Sequence, residues 1–158
     1  MDTPQDPAVP PAPSDRTAVL LIAHGSREPS ANDDLHALAA RLAAAGEHPI
    51  VVACFLELAE PDIATGGDRC VALGATRVLI VPYFLSAGVH LRRDLTAARD
   101  ELQVRHPGVA FRLGSPLGPH PLLDLLVAAR IRELEDPSTD RSGSHPPSPL
   151  TLCVNDAP

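Results

Sequence analysis

The chain has 158 residues, 44% hydrophobic and 21% charged, which suits one packed domain and excludes wholesale disorder. Aromatics are 3% and Trp is absent, so the core has to come from Ala, Val, Leu and Ile. The net charge of −7 sits mostly at the ends, −2 in residues 1–16, −4 in 133–158 and −1 between, so no basic face points to nucleic acid.

Residues 1–16 are acidic and proline-rich, without the basic start and apolar run of a secretion signal. They are expected to be a disordered tail. Thr17 to Ala23 (TAVLLIA) reads as a buried strand, and Leu35, Leu38, Ala39 and Leu42 mark a helix opened by Pro29 and stopped by Gly46. Ile50 to Leu56 is a second strand, followed by a helix from Pro61 to Gly74. That helix contains Gly66-Gly67, each glycine costing about 1 kcal/mol relative to Ala, so fraying or bending is expected there. Thr76 to Pro82 is a third strand, and Leu91, Leu95, Ala98 and Leu102 mark a helix ended by His106-Pro107. Val109 to Leu113 makes a fourth strand, and Pro119 or Pro121 opens a helix carrying Leu122, Leu125, Leu126 and Ala129. Residues 133–158 read as a second disordered tail, Pro/Ser-rich and acidic. One domain is therefore expected over 17–132.

Four βα units in a row predict an α/β fold, a parallel sheet of about four strands with helices on both faces in three flavodoxin-like layers. No apolar run approaches the roughly 20 residues that cross a bilayer. Cys54, Cys70 and Cys153 form no CxxC pair, which fits a reducing compartment. A soluble cytoplasmic protein with no membrane partner is expected. All 13 basic residues are Arg, which removes Schiff-base and Walker-type lysine chemistry.

In such sheets, sites form outside the C-terminal ends of the strands. The loops there read HGSREPS, ELAEP, YFLSAGVHLRRD and GSPLGPHP. His24 could bind a divalent metal or move a proton, or be a turn histidine bonded to its own loop. His90 alone reads as structural; paired with His24 and a carboxylate it makes an open site for Co²⁺, Fe²⁺, Ni²⁺ or Zn²⁺. Glu60 reads equally as a functional carboxylate and as a helix N-terminal charge, while Glu57 reads as structural. Arg27, Arg92 and Arg93 could bind carboxylates bidentately or be solvated surface groups. His120 reads as supporting or capping, and His36, His48, His106 and His145 as surface residues. No GxSxG elbow supports a hydrolase, and no GxGxxG or GxxxxGK[ST] pattern supports nucleotide binding.

The segments AHGSREPSAN, FLELAEPDI, GATRVLIVPYFLSAGVHLRRD and PLGPHPLL, in this order, resemble the CbiX-type sirohydrochlorin chelatases over about residues 17–132. The resemblance implies ATP-independent insertion of Co²⁺, or Fe²⁺ for sirohaem, into sirohydrochlorin, for cobalamin or sirohaem, with no organic cofactor; Ni²⁺ is a further candidate because His and Glu accept it alike. It implies His24 and His90 as metal ligands, and His24 as proton acceptor. The substrate positions it implies are Glu60 and Leu85, Ser86, Ala87, Gly88, Val89 and His90. Longer relatives hold two such modules, so a homodimer with the site near the shared cleft is implied. A lone Cys153 gives no support for an iron–sulfur extension. A ring bearing eight carboxylates would also favour loop arginines. The competing reading is a carrier of the same fold that binds a tetrapyrrole or metal without turning it over; a purely structural module is the third.

Overall fold

A computed structural model describes residues 16–135. The two expected tails lie outside the described residues except for Arg16 and residues 133–135. The elements alternate in chain order: β1 (Thr17–Ala23), α1 (Pro29–Ala44), β2 (Ile50–Phe55), α2 (Ile63–Ala72), β3 (Arg77–Pro82), α3 (Val89–Arg105), β4 (Ala110–Leu113) and α4 (Pro121–Glu135). All strand pairs are parallel and the sheet order is β2-β1-β3-β4, so the expected α/β sheet is the observed one.

β1 lies at the centre, and Ala18 to Ile22 are all buried. That explains its unbroken apolar run, since both faces are covered and there is no solvent side for polar residues to occupy. On one face Leu20, Ile22, Cys54, Val78 and Ile80 pack with Ile63 and Cys70 of α2, Leu95 and Leu102 of α3, and Phe111. On the other, Val19, Leu21, Ala53 and Phe55 pack with Leu35 and Ala39 of α1. The chain runs outward from β1 to β2, then returns across β1 to β3 and on to β4. Right-handed crossovers in opposite directions put their helices on opposite faces, which is why α1 stands alone against α2 and α3.

The expected fraying of α2 is not observed. Gly66 and Gly67 are buried inside a continuous helix. A Cβ on Gly66 would lie 2.8 Å from Cys54 Cβ and 2.9 Å from a Leu20 methyl, and one on Gly67 would lie 2.4 Å from a Leu102 methyl. The glycines thus trade helix propensity for close approach to β1, β2 and α3. The helix starts at Ile63 rather than Pro61, because Asp62 is its N-cap and accepts from Thr65 N at 2.7 Å.

The chain divides into two compact units at Pro119–His120. The second holds α4, which has no buried residue and carries the ion pair Arg130–Glu133 at 2.8 Å. α4 also takes in residues 133–135, which the sequence pattern assigns to the tail.

Candidate functional site

The crossovers from β1 and β3 leave in opposite directions, so the crevice predicted for a parallel sheet opens at the C-terminal ends of these neighbours. His24 stands at the first edge, and the 83–90 loop, ending in His90, at the second.

The β1–β2 ladder continues past both strands, with Leu56 N donating to Ala23 O at 2.8 Å and Glu57 N to His24 O at 3.0 Å. Gly25 sits at φ +92°, and a Cβ there would come 2.0 Å from Glu57 O. Only glycine lets the two loops meet this closely. The result is a pair: His24 Nδ1 lies 3.3 Å from Glu57 Oε1, both side chains largely exposed. A carboxylate on the Nδ1 side favours the tautomer with its proton there, which leaves the Nε2 lone pair free to accept a proton or a metal. The loop behind His24 is fastened by Asn32, whose side chain accepts from Ser26 N at 2.9 Å and donates to Ser26 O at 2.8 Å.

Glu60 lies elsewhere in the same loop. Its carboxylate accepts from Asp62 N at 3.1 Å, and Phe55 N donates to Pro61 O at 2.9 Å, so the ELAEP segment folds back on itself. The carboxylate that reaches His24 is Glu57, the one whose sequence context reads as structural. Leu58 between them is at φ +67°, which a side chain other than Gly rarely adopts, and is half exposed.

His90 sits in the first turn of α3, exposed and without a hydrogen bond or ion pair among the described residues. Its loop is held at one end by Tyr83 N to Ile22 O (2.7 Å) and at the other by Arg92 Nε to Ala87 O (3.1 Å). Between them Leu85 and Val89 are 69% and 82% exposed. Of the expected substrate positions, Leu85, Ser86, Gly88, Val89 and His90 are exposed and Ala87 is half-buried. Among the described residues no three His, Cys, Asp or Glu side chains form a group that could hold a metal ion. A two-imidazole, one-carboxylate cluster is thus not found among the described residues, and Glu60 is turned to its own loop.

The other candidates separate cleanly. Arg93 lies 3.7 Å from Asp94, and His120 Nδ1 accepts from Leu122 N at 3.2 Å, the capping role. His106 is not simply a surface group: its Nε2 is 2.7 Å from Asp68, which Arg105 also binds at 3.0 Å. His145 lies outside the described residues.

The CbiX family model matches residues 18–134. The chain belongs to the CbiX family. It is 38% identical over 117 residues to the sirohydrochlorin ferrochelatase of Priestia megaterium, covering 73% of this chain and 44% of that one. It is 30% identical over 129 residues to the sirohydrochlorin cobaltochelatase of Methanococcoides burtonii, covering 77% of this chain and 98% of that one. Among solved structures, the sirohydrochlorin chelatase SirB of Bacillus subtilis subspecies spizizenii in complex with cobalt superimposes with a TM-score of 0.69 at 30% identity, covering 75% of this chain and 51% of that one. The match spans about half or less of the length of the first curated relatives, 39% to 52%.

Proposed function

We propose that this CbiX chain is a sirohydrochlorin chelatase that inserts Co²⁺, or Fe²⁺ or Ni²⁺, without ATP, for cobalamin or sirohaem, and that it works as a homodimer in the cytoplasm. The observation that carries the reading is the His24–Glu57 pair at the β1 edge of the crevice, with an exposed loop at the neighbouring β3 edge that ends in His90, an imidazole without a partner among the described residues. Relatives named for cobalt and for iron insertion support the same chemistry.

Metal insertion has three requirements. Water must leave the ion, two pyrrole N–H protons must leave the ring, and the ring must be held while both occur. His24 Nε2 can ligate the incoming ion or take a pyrrole proton, and Glu57 stabilises the imidazolium that results. His90 offers a second neutral nitrogen, and Glu60 a carboxylate toward the ring N–H groups. Leu58, Leu85 and Val89 present apolar area to a flat macrocycle. The ring loses two protons and gains M²⁺, so charge balances without a nucleophile or an organic cofactor. A second copy would supply the length that longer relatives hold in one chain. The free, buried Cys54 and Cys70 suit a reducing compartment.

The test is sirohydrochlorin with excess Co²⁺ followed by visible absorbance, beside His24→Ala and His90→Ala. Wild type should convert many equivalents faster than the spontaneous reaction, and both variants should fall at least tenfold. Binding of the macrocycle with turnover at background would overturn the enzyme in favour of the carrier.

A further inference from the structure

A cavity of about 420 Å³ opens between the C-terminal ends of β3 and β4, one strand over from β1. Pro82, Leu95 and Leu113 give it apolar walls, while Arg92, Thr96 and Ser115 supply polar groups; no Asp or Glu lines it. The volume is at the lower end of the range for small-molecule sites, about 300–1,000 Å³, which suits a side arm of a ligand better than a whole macrocycle.

Arg92 is aimed by the backbone. Its Nε donates to Ala87 O at 3.1 Å, and its terminal nitrogens make no hydrogen bond or ion pair with any described residue. Thr96 spends its proton on Arg92 O at 2.8 Å, which leaves the Ser115 hydroxyl as the second donor. The cavity at the opposite end of the sheet, by contrast, is lined by Glu47 as well as Arg16 and so brings its own carboxylate. A cationic cavity without an internal anion selects a carboxylate, which the guanidinium fork can hold with two parallel hydrogen bonds.

We propose that this cavity docks one carboxylate arm of the tetrapyrrole, with Arg92 as its bidentate partner and Ser115 as a second donor. The inference rests on the chelatase reading and deepens it. Among the loop arginines it singles out Arg92, since Arg93 is near Asp94 and neither Arg93 nor Arg27 lines this cavity. Through Ala87, the same side chain joins the docked arm to the loop that carries His90.

Steady-state kinetics with sirohydrochlorin and Co²⁺ test it. Arg92→Ala should raise KM for sirohydrochlorin about tenfold or more, the usual scale of a lost charge-assisted hydrogen bond, with kcat within about threefold. Ser115→Trp fills the cavity while keeping both partners of the Arg92–Ala87 bond and should raise KM likewise. Circular dichroism and thermal melting report whether each variant is folded. A fall in kcat at unchanged KM for Arg92→Ala makes Arg92 a loop support only and overturns the proposal. So does an unchanged KM for folded Ser115→Trp. Wild type that fails to turn over sirohydrochlorin defeats the chelatase reading itself, an outcome distinct from wild type that turns over while both variants keep its KM.

Discussion

His24 and Glu57 show how little separates a surface histidine from a chemically prepared one. Both side chains are largely exposed, so their Coulomb attraction is screened and the pair adds little to stability. Its value is directional: a carboxylate on the Nδ1 side favours the tautomer protonated there, which keeps the Nε2 lone pair available. Glu57→Gln should therefore lower kcat for metal insertion about 10- to 100-fold, the usual cost of losing a carboxylate behind a ligating histidine. Glu60→Gln should act on KM for the macrocycle instead. Steady-state kinetics of both variants check this, and a reversed pattern would assign the supporting role to Glu60. Sequence spacing made both histidines legible, because each falls at a strand's C-terminal end. It favoured Glu60 over Glu57, whereas the carboxylate that pairs with His24 is Glu57. That choice follows from Gly25 at φ +92°, which lets the first loop lie against Glu57 O.

At the scale of elements, α2 and α3 are joined by a polar clasp at the edge of their apolar contact. Asp68 of α2 meets His106 at 2.7 Å and Arg105 at 3.0 Å. The His106 hydrogen bond, with help from Arg105, holds the Asp68 carboxyl below its ordinary value of 3.8. A depressed carboxylate contributes stability that is present above its unfolded value and is lost as pH falls through the folded one. The melting temperature should thus drop on acidification below about pH 4, and Asp68→Asn should lower it at neutral pH and flatten the acid slope. Thermal melts across that range check both. Asp62 shifts the same way, because Thr65 N–H binds its carboxylate at the α2 N-terminus. The helix itself was legible from its pattern, but its glycines carried the wrong message. Propensity counts their local cost, whereas Leu20, Cys54 and Leu102 occupy the space where a Cβ would stand.

At the scale of the molecule, the core is small-residue and aliphatic, and it encloses two thiols. Burial pushes the Cys54 thiol well up and the Cys70 thiol up to about 12, so both stay protonated and inert in the native state. Among the described residues, large apolar side chains are nonetheless exposed at Leu58, Tyr83, Leu85 and Val89 near the crevice. Exposed apolar area of this kind marks a ligand or partner surface. Together with a match that spans about half or less of the first curated relatives, it leads to the expectation of a homodimer. Light scattering coupled to size exclusion should give twice the 16.6 kDa chain mass. A strict monomer that retains full turnover would show that one chain holds a complete site.

The sequence alone determined the α/β alternation, the buried parallel strands and the loops proposed to hold the chemistry, because hydrophobic period and strand-end position are local properties of the chain. It also carried the CbiX resemblance through its ordered loop segments. Tertiary structure decided which carboxylate pairs with His24, why α2 tolerates two glycines, that His106 closes a clasp, and that Arg92 lines a cavity. Each of these depends on groups far apart in the chain meeting at a few ångströms, and spacing along a sequence does not encode that distance.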